Sequence, residues 1–189
     1  CTYNRGDLIN GTLKALIVDQ SIKPNQIVVV NGGGENNCLD ILIKWKKVFR
    51  ELLIIDTINK NLSHSRNIGL IKCIHDLILL TDDDARPYPN WIENIIFYHQ
   101  KYPKAGNIGG EVFDNKGVSF LSKIADVVTF PRHKKEKKVK TIPGVNSSFK
   151  RAVILEVGEY DTLLFRGEDV DYNWRVLKKG WDVVYVPSI

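Results

Sequence analysis

Three features of this chain predict an α/β fold with a mostly parallel sheet flanked by helices. Short apolar runs alternate with segments whose apolar residues fall at helical spacing. The runs are apolar from end to end, as expected of strands covered on both faces. Several stop in Gly-, Asn- or Asp-rich turns. Strand–turn–helix alternation of this kind builds parallel sheets.

Asp7 to Gln20 carries Leu8, Ile9, Leu13, Leu16 and Ile17 at helical spacing. Gln26 to Val30 is a β-branched strand stopped by Asn31-Gly32-Gly33-Gly34. Leu39 to Phe49 is a helix and Leu52 to Ile55 a second strand. Leu62 to Ile74 is a helix with Ser63 or Ser65 as its N-cap. Leu77 to Thr81 is a third strand, and Asp82-Asp83-Asp84 follows it at once. Pro89 to Tyr102 opens with proline and is helical. Asn107 to Val112 and Val118 to Phe120 read as strands, and the lysine-rich Arg132 to Lys140 as a mobile surface loop. Arg151 to Val157 and Asp169 to Lys179 are helices, and Asp182 to Val186 is a last strand. Trp91 and Trp174 read as packing residues. Right-handed crossovers put the strand-to-helix loops at one edge, so Asn31 to Gly34 and the acidic triplet should share it.

The length of 189 residues suits one domain, 1–189. The chain opens on Cys1-Thr2-Tyr3-Asn4-Arg5, which reads as the end of a strand, and closes just after one. Truncation at both ends is therefore expected, with a regular first half at 1–105 and a less regular second half at 106–189. A net charge of +5 suits polyanionic ligands. Three scattered cysteines form no zinc motif or disulfide framework, and fit a reducing, cytoplasmic setting. No apolar run reaches membrane-spanning length and no secretory signal is visible.

Three adjacent carboxylates repel one another, so a fold keeps them together where cations or donors compensate. Hard oxygen ligands select Mg²⁺ or Mn²⁺. Asp84, with Asp82, is the expected metal contact, and Asp82 and Asp83 the expected donor contacts. The competing reading is a solvated turn. Gly167-Glu168-Asp169-Val170-Asp171 is the second acidic cluster, and a helix cap is its competing reading. A carboxylate set apart from a metal site can serve as a general base that takes a proton from a hydroxyl. Asp169 is the choice, with Glu168 on an acceptor hydroxyl. Arg66 opens a helix near the diphosphate or the base. Gly144 and Asn146 sit in a turn that suits donor sugar or acceptor. Thr2, Tyr3 and Arg5 follow the truncated strand, with Tyr3 against a nucleobase and Arg5 facing phosphate. Acidic clusters at the ligand edge argue against nucleic acid.

Taken together, Thr2 to Arg5, Ile27 to Gly34, Leu62 to Gly69, Leu79 to Asp84 and Pro89-Asn90-Trp91 make a pattern. Pro143 to Asn146, Val157 to Asp161 and Gly167 to Asp171 complete it. It resembles the family 2 glycosyltransferases of the GT-A (Rossmann-like) fold. The resemblance implies a nucleotide-binding half at 1–105, with a pocket lined by Thr2, Tyr3 and Arg5, and an acceptor-binding half at 106–189. It implies a triplet whose first members contact ribose and whose last binds the metal on the diphosphate, and it makes Asp169 the base. The implied partners are a nucleotide-diphosphate sugar and a glycan or lipid-linked acceptor hydroxyl, with possible peripheral contact at the inner face of a membrane. Many relatives have aspartate at the position of Asn31, where it binds the nucleobase. Many also carry a metal-binding histidine beyond the last strand, past Ile189. The rival readings are a truncated nucleotide-binding domain without activity and a nucleotidyltransferase. The latter needs a glycine-rich loop longer than Tyr3-Asn4-Arg5-Gly6.

Overall fold

The computed structural model describes residues 1–34, 37–113, 130 and 132–189. The expected strand at Val118 to Phe120 lies outside them. In chain order the elements are α1 (Gly6–Ile17), β1 (Ile27–Asn31), α2 (Cys38–Val48), β2 (Leu52–Asp56), α3 (Leu62–Lys72), β3 (Leu77–Leu80) and α4 (Trp91–Lys101). They continue with β4 (Ala105–Gly110), β5 (Lys137–Lys138), β6 (Ser147–Lys150), α5 (Arg151–Val157), α6 (Glu168–Lys178) and β7 (Asp182–Val186).

β1 and β2 pair in parallel, and a second sheet runs β3-β6-β4-β7-β5. In it β3, β4 and β7 point one way, while β6 and β5 run against them. Two cores sandwich the strands. Ile9, Leu13 and Leu16 of α1, Leu42 of α2 and Ile95 of α4 pack on one side. Leu70 of α3, Val153 of α5 and Tyr172 and Val176 of α6 pack on the other. Adjacent Val183 and Val184 of β7 fall in opposite cores, as the alternation of a strand requires. That double covering is why the strands read as continuous apolar runs.

The turn at Gly144 and Asn146 leads into a strand, β6 (Ser147–Lys150), for which the sequence carries no expectation. Its serines are buried, and each makes hydrogen bonds. Lys137-Lys138, expected in a loop, pairs with β7 at the sheet edge, where exposed lysines blunt further pairing.

β1 and β3 are not hydrogen-bonded neighbours. A cavity of about 420 Å³ lies between them, lined by Val28, Val30, Leu70, Ile78, Leu80 and Trp91 among others. At its polar end Thr2 bridges to β1: its N–H donates to Val30 O at 2.9 Å, and Gly32 N–H donates to Thr2 O at 2.8 Å. This seats the Thr2 to Arg5 segment at the C-terminal end of β1. Among the described residues no helix is long and apolar enough to cross a membrane.

Candidate functional site

The C-terminal ends of β1 and β3 carry the first half of the site. Asn4 turns the chain in the left-handed region, at φ 54°, a conformation asparagine tolerates. Gly34 sits at φ 112°, a conformation that favours glycine, and a Cβ there would meet the Asn4 side chain. Arg5 then reaches the acidic triplet, with Nη1 3.1 Å from Asp83 Oδ1 and 3.5 Å from Asp84 Oδ2. Thr12 of α1 anchors the triplet's backbone by donating to Asp83 O at 2.7 Å. The expected sharing of one edge by the β1 turn and the triplet is therefore seen.

The three aspartates have different surroundings. Asp83 is buried against Arg5, whereas the Asp82 and Asp84 side chains are about two-fifths exposed, at 41% and 38%. Burial raises the Asp82 carboxyl above its ordinary range, against the opposing pull of Arg66. Among the described residues, no three His, Cys, Asp or Glu side chains form a preformed cation cage. The donor set still fits a hard divalent cation, which commonly takes one or two carboxylates and completes its shell with phosphate and water. Asp84 and Asp82 are the open carboxylates of the set.

Asn31 Nδ2 donates to Asp56 Oδ1 at 2.8 Å. Asn31 Oδ1 is buried and unpartnered among the described residues. Tyr3 is half exposed and packs over Gly32, close to that turn.

Arg66, expected near the diphosphate or the base, lies between the two acidic clusters. It is buried, with Nη1 2.5 Å from Glu168 Oε1, Nη2 3.8 Å from Asp82 Oδ1, and its guanidinium 5.5 Å above the Tyr160 ring. A Cβ on Gly144 would lie 2.4 Å from Arg66 Nη2, so Gly144 leaves the space that the guanidinium fills. One side chain thus joins two acidic clusters that are far apart in sequence.

The rest of α3 grips the same partner loop. Asn61 Nδ2 donates to Thr162 O at 2.8 Å and Ser63 Oγ to Leu164 O at 3.1 Å. Asn67 exchanges two hydrogen bonds with the backbone of Tyr160. The N-cap is Asn61, accepting from His64 N–H at 2.9 Å, rather than Ser63 or Ser65. Hydroxyl type alone could not separate a cap from a loop staple.

Asp169 lies in the first turn of α6, whose N-cap Gly167 is left-handed at φ 75°. Its Oδ2 accepts from Gly144 N–H at 3.0 Å and its Oδ1 from Val170 N–H at 2.8 Å. Each carboxylate oxygen has two lone pairs, so both keep acceptor capacity. Glu168 is committed to Arg66 instead. Asn146 is buried and fully engaged: Oδ1 accepts from Trp91 Nε1, and Nδ2 donates to Glu111 O and Ile189 O. It shapes the turn from within. Trp174, expected to pack, is half exposed. Sequence reading missed Asn107, Asn173 and His99, since lone polar residues inside helices or strands carry no motif, and it gave Asn67 no role within the Leu62 to Gly69 pattern.

A doubly covered sheet with two carboxylate clusters joined at one edge has the layout of the GT-A glycosyltransferases. The chain belongs to glycosyl transferase family 2, whose model matches residues 1–158. It is 30% identical over 173 residues to the glucosyl-dolichyl phosphate glucuronosyltransferase of Haloferax volcanii, covering 86% of this chain and 54% of that protein. It is 26% identical to the poly-β-1,6-N-acetyl-D-glucosamine synthase of Staphylococcus aureus, covering 98% of this chain and 46% of that one. The chain thus spans about half the length of these curated relatives. Among solved structures, the mannosyltransferase PcManGT of Pyrobaculum calidifontis, in complex with GDP-Man and Mn²⁺, superposes with a TM-score of 0.76 at 18% identity. That match covers 98% of this chain and 52% of the other. S. aureus TarS matches with a TM-score of 0.78 at 16% identity, covering 98% of this chain and 35% of that one. These likenesses bear out the α/β, GT-A fold.

Proposed function

We propose that this chain is the catalytic domain of an inverting glycosyltransferase that moves a sugar from a nucleotide-diphosphate donor to an acceptor hydroxyl. The observation that carries the reading is Arg66, which contacts Asp82 on one side and Glu168, beside Asp169, on the other. One edge then offers a carboxylate set open to a cation and a second set on different supports.

In this reading Thr2, Tyr3 and Asn31 surround the nucleobase, Arg5 faces the diphosphate, and Asp82 and Asp83 face the ribose. Asp84 and Asp82 hold Mg²⁺ or Mn²⁺, which when bound neutralises charge on the departing nucleoside diphosphate. Two of the similar structures were solved with Mn²⁺, which supports a divalent ion here. Asp169 takes the proton of the attacking hydroxyl, held by Gly144 N–H with lone pairs to spare. Glu168 keeps Arg66 in place beside Gly144, where both border the donor sugar and the acceptor, and Asn146 supports their turn from below. The names of both curated relatives support a lipid-linked or polysaccharide acceptor. The exposed lysines of 132–140 support peripheral contact at the cytoplasmic face of an anionic membrane.

Ligands that bind only the folded state raise apparent stability. With Mn²⁺ present, at least one of UDP-glucose, UDP-N-acetylglucosamine, UDP-galactose, GDP-mannose and dTDP-rhamnose should raise the melting temperature. The rise should vanish without the metal and in Asp84→Ala. No response to any of them, in a protein carrying its full native length, refutes the assignment.

A further inference from the structure

We infer that Asn173 is the positioning residue that sets the direction of the Asp169 carboxylate. This rests on the reading of Asp169 as the base. The relation to be fixed is between two separate segments: the first turn of α6, carrying Asp169, and the turn at 142–146, whose Gly144 N–H holds Asp169 Oδ2. A single amide ties both. Asn173 Nδ2 donates to Asp169 O at 2.7 Å and to Ile142 O at 3.1 Å. Because both of those partners are carbonyls, the NH₂ must face them, which fixes the orientation of the amide.

The other end of Asn173 is held as firmly. Its Oδ1 accepts from Asn107 Nδ2 on β4 at 2.7 Å. Asn107 Oδ1 accepts from Ser147 Oγ at 3.0 Å and Ser148 N–H at 3.2 Å on β6. Ser148 Oγ meets His99 Nε2 of α4 at 2.9 Å. Asn173, Asn107 and Ser148 are 1%, 0% and 0% exposed. A chain of polar contacts therefore crosses the sheet from α4 to the base.

Stability alone does not call for this chain. A buried amide loses its hydration, and each hydrogen bond that it makes in return contributes little net stability. What leucine at 173 would not supply is a fixed spacing between Asp169 and Ile142. Misplacement of a reacting group by about 1 Å can cost about 10²-fold in rate.

The test uses Asn173→Leu and the double variant Asn107→Leu/Asn173→Leu, which leaves no asparagine unpartnered. Hydrogen exchange at the Gly144 amide reports on the geometry without any substrate. It should quicken at least tenfold in both variants, with β4 and β7 amides changed less than twofold. Mn²⁺-dependent hydrolysis of the nucleotide sugar found in the stability panel should lose about 10²-fold in kcat, with KM within threefold. In an Asp169→Asn background the same change should cost less than threefold more. Unchanged Gly144 exchange overturns the inference, and so does a loss that multiplies fully with Asp169→Asn. If Asp169→Asn turns over like the parent, the base assignment falls and takes this inference with it. Parental kcat in folded Asn173→Leu, with Asp169→Asn inactive, removes the inference alone.

Discussion

The two acidic clusters are held in opposite ways. Asp82, Asp83 and Asp84 follow a strand, and charge compensates them: Arg5 lies against Asp83 and Asp84, and Arg66 against Asp82. Asp169 sits at a helix start, where its carboxylate is held by the neutral backbone N–H groups of Gly144 and Val170 and its carbonyl by the Asn173 amide. An ion pair with a half-exposed partner such as Arg5 exchanges readily, whereas the buried hydrogen bonds of Asn173 cost much to break. The comparison teaches a division of labour. In the proposed reading, half-exposed Arg5 on the donor side is free to turn to an incoming charged ligand, and the base side keeps one geometry throughout.

The strongest way to break this comparison is Asp169→Asn, which keeps the shape and removes the proton acceptor. Transfer should fall by about 10²–10⁴-fold. Donor affinity by calorimetry should stay within threefold. A matching loss of affinity would show that the two sides are not separate.

Arg66 is where the sides meet. Arg66→Met leaves Glu168 buried without its partner and should cost about 3–5 kcal/mol in denaturant unfolding. Arg66→Met/Glu168→Met should recover most of that. If the single variant is stable, the pair does not carry the junction.

The base side should also be the acid-sensitive one, through His99. Burial, with Lys150 nearby, lowers the His99 pKa from 6.5 to about 4. Between those values the unfolded chain binds the extra proton and the folded chain does not, so stability is full above pH 6.5 and declines as pH drops towards 4. The decline should approach roughly 3 kcal/mol. His99→Gln, which can still donate to Ser148, should flatten the curve in chemical unfolding measured from pH 7 to 4.5.

The smallest effect sharpens the donor side. Arg5 is half exposed, so Arg5→Gln should change stability by less than about 1 kcal/mol. If Arg5 turns to a diphosphate, the same change should weaken Mn²⁺-dependent donor binding about tenfold.

Much of the scaffold was legible. β1, β2, β3 and β7 stood out because strands covered on both faces must be apolar, and the helices because each buries one stripe. The acidic clusters stood out because adjacent like charges need a reason. β6 did not, since its serines serve a polar chain whose other members lie on α4, β4 and α6. For the same reason the pairing of Arg66 with Glu168 and the burial of Asn146 were not legible, although both residues were singled out.

By itself, then, the sequence determined the alternation of strands and helices, the edge where ligands gather and the chemistry of the groups there. Hydrophobic period and residue type are local quantities, and they suffice for that. Tertiary structure alone decided which carboxylates stay open, which arginine joins them and which asparagine holds Asp169. Those depend on contacts between residues roughly a hundred positions apart, such as Arg66 with Glu168 and Asn67 with Tyr160. No local pattern encodes such a meeting, because only packing brings the partners within hydrogen-bonding reach.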